Sequence, residues 1–158
     1  MAASTTAEAP WHAAYPLPTN KNPQHMTREE LLVLLKTGDT HAAKNYVLVD
    51  LRRADHEGGT IRGSINLPAQ SLYSSIPTLY DLFRAAGIRK VIWYCSSSRG
   101  RGTRAAGWFD DYIKMRKDQE MDSLILLEGI KGWATAGKDY VEYLDGYDES
   151  VWASEAAK

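Results

Sequence analysis

The chain has 158 residues, 44% of them hydrophobic and 25% charged, with a net charge of −1. That length suits one domain with its own core, and the near-neutral balance excludes a global field that would gather nucleic acid or an anionic membrane. The single cysteine, Cys95, excludes an internal disulfide, and His12, His25, His41 and His56 are scattered without metal-ligand spacing.

No apolar run approaches the roughly 20 residues of a membrane helix, and Met1 to Pro10 has no signal-peptide core. A cytoplasmic protein, with the nucleus as a second compartment, is the expectation. Four of the six prolines fall before residue 24, so residues 1–23 read as a flexible arm that Trp11 and Tyr15 tack onto the domain. Thr27-Arg28-Glu29-Glu30 matches a capping box, Leu31, Leu32, Leu34 and Leu35 supply one apolar helix face, and Gly38 ends the helix.

Tyr46 to Asp50 reads as a strand buried on both faces, which suits a parallel sheet covered by helices. Ile61 and Ile65 to Pro68 suggest a second short strand. Ser71 to Ala86 holds one or two helices interrupted at Pro77, and Val91 to Tyr94 is a further strand running into Cys95. Beyond the loop, Ala105, Trp108, Phe109, Tyr112, Ile113 and Met115 recur at helical spacing. Ser123 to Glu128 is another buried strand, and a last helix starts near Lys131. The fold class is therefore α/β, a single domain over 24–145 with a mainly parallel central sheet, helices on both faces and a loose tail over 146–158.

The stretch from Cys95 to Ala106 carries the chemistry. A strand ends at the thiol, the small residues Ser96, Ser97, Ser98 and Gly100 follow with Arg99 and Arg101, and a helix begins. Strand, small-residue loop and helix N-terminus together build an anion site from main-chain N–H groups. If the loop curls round, those N–H groups and the Arg101 guanidinium converge on a tetrahedral oxyanion in front of the sulfur. Positive charge from Arg99, Arg101, Arg104 and the helix terminus favours a thiolate over a thiol. Cys95 and Arg101 are thus the expected catalytic residues, and Ser96, Ser97, Ser98, Arg99 and Gly100 the expected oxyanion-binding ones. No metal ligand is assigned. Asp50, Arg52 and Glu57 read as scaffolding at a strand end, and Trp133 as core.

Three ordered stretches also resemble a known family. Leu48-Val49-Asp50-Leu51-Arg52 with Glu57-Gly58-Gly59-Thr60-Ile61-Arg62-Gly63-Ser64-Ile65-Asn66-Leu67-Pro68 is similar to the first signature of rhodanese-like domains. Leu127 to Trp133 is similar to their last, and Cys95 to Ala106 to their active-site loop. The longer loop ending Arg101-Gly102 resembles that of M-phase inducer phosphatases and of the fungal arsenate reductases related to them. Two histidines usual in the family are replaced by Thr60 and Tyr94, and the acidic residue those phosphatases carry before the arginine is Gly100. No carboxylate lies in the loop, so it supplies no general acid.

The resemblance implies first a cysteine-dependent phosphatase of the protein-tyrosine or dual-specificity type, acting through a phosphocysteine on Cys95. It implies as the alternative an arsenate reductase using the same loop, with no bound cofactor and with external glutathione and glutaredoxin as reductant. Thiosulfate sulfur transfer and a non-catalytic binding module rank below these. The partner is then a phosphorylated protein or a small oxyanion, not nucleic acid or membrane, and the oligomeric state is left open.

Overall fold

A computed structural model describes residues 9–37 and 45–156, with side chains to residue 154. The helix end expected at Gly38 lies outside the described residues. The elements are β1 (His25–Met26), α1 (Arg28–Thr37), β2 (Tyr46–Asp50), β3 (Thr60–Ile61), β4 (Ile65–Asn66), α2 (Ile76–Ala85), β5 (Lys90–Tyr94), α3 (Arg101–Met115), β6 (Asp122–Leu126), α4 (Gly129–Ala134), α5 (Lys138–Val141), β7 (Leu144–Asp145) and α6 (Glu149–Ala156). Five strands form a parallel sheet in the order β1-β6-β5-β2-β4, with β5 in the centre. β3 and β7 pair antiparallel beside it.

The central strands alternate their side chains between two cores, because successive residues of a strand face opposite ways. Val49, Val91, Trp93 and Ile125 meet α2 and α3 through Tyr80, Phe83, Phe109 and Ile113. Leu48, Ile92, Tyr94, Leu124 and Leu126 meet α1, α4 and α6 through Leu31, Ile130, Trp133 and Trp152. Both faces of the sheet are covered, which explains the nearly unbroken apolar runs of β2 and β5. Thr27 caps α1 by accepting the Glu30 N–H at 3.1 Å.

Several boundaries differ from the sequence reading. Pro77 opens α2 rather than interrupting it, since an N–H missing from the first turn has no helical partner to lose. β6 stops at Leu126, and Glu128 turns into the left-handed region at φ 68°. The stretch expected as a tail carries α6, because Trp152 is buried and donates its indole N–H to the Gly58 carbonyl at 2.8 Å. From residue 9 the arm is packed rather than loose. Trp108 Nε1 donates to the Pro16 carbonyl at 2.8 Å, the Thr19 N–H to Asp111 at 2.7 Å, and Asn20 Nδ2 to Asp110 at 2.9 Å.

Asp50 and Arg52, at the carboxyl end of β2, are fully buried (0% and 1% exposed). Arg52 binds Asp50 through Nε (3.0 Å) and Nη2 (2.8 Å), then spends its remaining donors on the carbonyls of Glu57 (2.8 Å) and Gly59 (2.7 Å). Breaking a buried pair leaves an uncompensated charge, so Arg52→Met should lower the unfolding free energy by about 3–5 kcal/mol. Guanidinium melts of the two proteins measure the difference, and a loss below about 1 kcal/mol would refute the structural role.

Candidate active site

The site lies where the parallel strands end, as open α/β sheets place their sites. β5 delivers Cys95 from the centre of the sheet, 3% exposed. The chain then turns at Ser98, whose φ of 61° is left-handed. That turn lets the Ser98 N–H donate to Cys95 Sγ at 3.2 Å, while the Ser98 hydroxyl accepts the Cys95 N–H at 3.4 Å. Thr103, in the first turn of α3, donates its hydroxyl to the Ser98 carbonyl at 3.0 Å. Gly102 packs the same turn against the sulfur: a Cβ there would sit 3.8 Å from Cys95 Sγ and 3.1 Å from the Ser98 Cβ. Among the described residues, the N–H groups of Ser96, Ser97, Gly100 and Arg101 have no hydrogen-bond acceptor. Ser97, Arg99 and Gly100 are exposed, Ser96 is half-buried, and Ser98 is buried.

A second segment holds the loop from below. The N–H groups of Ile130 and Lys131, at the start of α4, donate to the carbonyls of Cys95 (3.0 Å) and Ser96 (3.1 Å). The Leu127–Trp133 motif therefore braces the thiol-bearing loop. Gly129 makes the approach possible: its φ is 59°, and a Cβ there would collide with both carbonyl oxygens. Trp133 is fully buried, as expected of it.

A third segment brings what the loop sequence lacks. Asp55, from the turn after β2, receives Arg101 end-on, Nη1 to Oδ1 at 2.9 Å and Nη2 to Oδ2 at 2.5 Å. Ser96 joins both: its hydroxyl donates to Asp55 Oδ2 at 3.0 Å and accepts from Arg101 Nη2 at 3.3 Å. Asp55 is the only carboxylate that bonds residues 95–101 among the described residues. The Arg101 guanidinium holds the Asp55 carboxyl well below the usual carboxylate range, and Asp55 in turn raises Arg101, with the Cys95 sulfur adding to that rise. Sequence reading missed Asp55, because its partner is 46 positions away.

The two positions that depart from the family pattern touch each other. Thr60 Oγ1 lies 2.9 Å from the Tyr94 hydroxyl, which also lies 2.7 Å from Ser64 Oγ and accepts the Ile61 N–H. Burial, then the Asp50 charge, push the Tyr94 hydroxyl well above its ordinary pKa, so it stays neutral. Glu57 is exposed and contributes its carbonyl, not its carboxylate, to Arg52. Arg104 lies over the Trp11 ring, 5.8 Å from its centroid. A cleft of about 810 Å³ flanks the loop, lined by His25, Ser97, Arg99, Thr103, Glu128 and Lys131. No group of three or more His, Cys, Asp or Glu among the described residues is placed to hold a metal ion.

Residues 27–136 match the family model of the rhodanese-like domain. The chain belongs to the rhodanese-like family. The arsenical-resistance protein 2 of Saccharomyces cerevisiae is 30% identical to it over 99 residues, covering 58% of this chain and 76% of that protein. A solved yeast protein tyrosine phosphatase of the rhodanese family superposes with a TM-score of 0.65 at 24% identity, covering 82% of this chain and 96% of the other. The As-Sb reductase of Leishmania major superposes with a TM-score of 0.61 at 24% identity, over 68% and 74% of the two chains. Those two structures, one named a tyrosine phosphatase and the other an As-Sb reductase, support the fold.

Two outcomes follow for this rhodanese-like site. Gly129→Ala should displace the Cys95 and Ser96 carbonyls at a cost of roughly 1–3 kcal/mol, and should change the rate at which iodoacetamide alkylates Cys95. An unaltered alkylation rate would remove the bracing role of α4. The second concerns acid. Because the folded-state pKa of Asp55 lies below its unfolded value, the pair stabilises the fold above the ordinary carboxylate range and stops doing so as pH falls through the folded value. The Asp55 side chain is 46% exposed, so screening limits the effect to roughly 1 kcal/mol or less. Asp55→Asn should therefore melt below the unaltered protein at about pH 5 to 8, and the two curves should converge in strong acid.

Proposed function

We propose that this chain is a thiol-dependent arsenate reductase that passes arsenate through an ester on Cys95, with glutathione as the external reductant. The observation that carries this reading is the state of Asp55. A phosphomonoester is hydrolysed well only when an acid protonates the departing alkoxide. Among the described residues, the one carboxylate bonded to the loop is held ionised by Arg101 and has no proton to give near neutral pH. Arsenate needs less help, because As–O bonds exchange with water and thiols far faster than P–O bonds. The 30% identical relative, an arsenical-resistance protein, supports the same choice.

In this reading the loop N–H groups and Arg101 hold the tetrahedral oxyanion, and the Ser98 N–H steadies the negative sulfur. Cys95 Sγ attacks arsenic and an As–O bond breaks, releasing water. One glutathione thiolate then displaces a second oxygen, which also leaves as water. A further glutathione thiolate attacks the sulfur of the first, forming the disulfide and leaving the electron pair on arsenic. Water finally cleaves the bond between arsenic and Cys95 Sγ, which restores the thiol. Overall, one dihydrogen arsenate ion, two glutathione thiols and one proton give one arsenous acid, one glutathione disulfide and one water. The flanking cleft gives a peptide-sized thiol room beside the loop.

Phosphatase activity through a phosphocysteine is the second reading, favoured by the loop of five residues between Cys95 and Arg101, which suits phosphate as well as arsenate. With no protonated carboxyl bonded to the loop among the described residues, it would favour aryl phosphates with acidic leaving groups, which can depart unprotonated. Incubation of the purified protein with arsenate and glutathione, with and without glutaredoxin, should yield arsenite, and Cys95→Ser should abolish it. Steady phosphate release from p-nitrophenyl phosphate with no arsenite formed would reverse the order of the two readings.

A further inference from the structure

We infer that Asp55 is a positioning residue for oxyanion binding: it clasps the two ends of the Cys95 loop and turns the Nε–Nη2 edge of the Arg101 guanidinium away from itself, toward the anion. The inference rests on the oxyanion reading of the loop and adds a residue that the loop sequence does not contain. A guanidinium is a planar fork with two edges that can each take a bidentate oxyanion, Nη1–Nη2 and Nε–Nη2. Asp55 occupies the first edge with both oxygens. On the second edge Nη2 also donates to Ser96 Oγ at 3.3 Å, a long contact that an oxyanion can displace, and among the described residues Nε donates to no oxygen or nitrogen.

The same carboxylate bonds Ser96, the first residue after the thiol, while Arg101 closes the loop five residues on. One side chain from outside thus ties both ends of the ring. Its own placement is fixed by the core. Arg52, locked to buried Asp50, reaches the carbonyls of Asp55 (3.5 Å), Glu57 (2.8 Å) and Gly59 (2.7 Å). Trp152 Nε1 secures the Gly58 carbonyl from the other side. Asp55 therefore sits on a turn whose main chain is held at four successive or near-successive carbonyls, and it restrains an arginine whose long side chain would otherwise sample many rotamers. The opposing possibility is that Asp55 competes with the substrate for Arg101. The two differ in sign: removing a positioning residue weakens anion binding, whereas removing a competitor strengthens it.

The experiment measures how inorganic phosphate protects Cys95 of the full chain from iodoacetamide, an equilibrium readout that needs no turnover. In the unaltered protein phosphate should slow alkylation with a saturable dependence. Asp55→Ala and Asp55→Asn should each raise the half-protecting phosphate concentration at least tenfold, with the circular dichroism spectrum unchanged. Arg101→Ala should do the same, and adding Asp55→Ala to it should cost less than a further twofold, because Asp55 acts through Arg101. Unchanged or tighter protection in the Asp55 variants, or additive losses in the double variant, would overturn the assignment. Absence of protection in the unaltered protein would instead refute the oxyanion reading itself. Protection without arsenite formation would leave Asp55 in its role and remove only the reductase.

Discussion

The structure around the thiol depends on one buried charge. Asp50 is completely excluded from water, and an isolated carboxylate there would be prohibitively costly. It is compensated by the Arg52 guanidinium, the Arg52 N–H and the Thr60 hydroxyl, and His56 Nε2 stands 3.3 Å away. A buried ion pair of this kind is weak evidence for stability in itself, since apolar residues of equal volume can serve as well. Apolar residues could not hold the carbonyls of Glu57 and Gly59. What the pair supplies is a fixed path for the turn that carries Asp55.

Three separate segments then meet at Cys95, each with a different task. The β5–α3 connection supplies the sulfur, the left-handed Ser98 and a helix N-terminus. The β6–α4 connection braces the loop by donating two N–H groups to its first carbonyls. The turn after β2 supplies a counter-charge for Arg101. Parallel pairing of β2, β5 and β6 makes this meeting unavoidable, because all three chains leave the sheet at the same end. The packed arm over 9–23 adds a fourth restraint, pinning α3 through Trp108, Asp110 and Asp111.

The chemical character of the site follows from how its titratable groups are paired. Asp55 is committed to Arg101 as an ion, and Tyr94 is kept neutral by burial. Where the family has two histidines, this chain has a threonine and a tyrosine that sit within hydrogen-bond distance of each other. The surroundings of the sulfur are thus fixed dipoles and a neutralised ion pair rather than mobile protons. Such a site suits an electrophile that needs positioning more than protonation.

Much of this was legible in the chain. The apolar runs of β2, β5 and β6 and the helical period of Trp108, Phe109 and Ile113 fix a helix-covered parallel sheet, because burial on two faces leaves no polar alternation. The order of strand, thiol, small residues and arginine marks the loop, since only small residues allow such close main-chain turns. The short strands β1 and β7 were not legible, being defined by their partners, and the stretch read as one strand over Ile61 and Ile65 to Pro68 is two, β3 and β4, in different sheets. Nor was α6, where one buried indole outweighs a polar sequence. The tertiary structure alone decided that Asp55 stands against Arg101, that α4 braces the thiol and that Thr60 meets Tyr94. Those contacts join residues 34 to 46 positions apart, and local pattern carries no record of which loops converge once the sheet is wound.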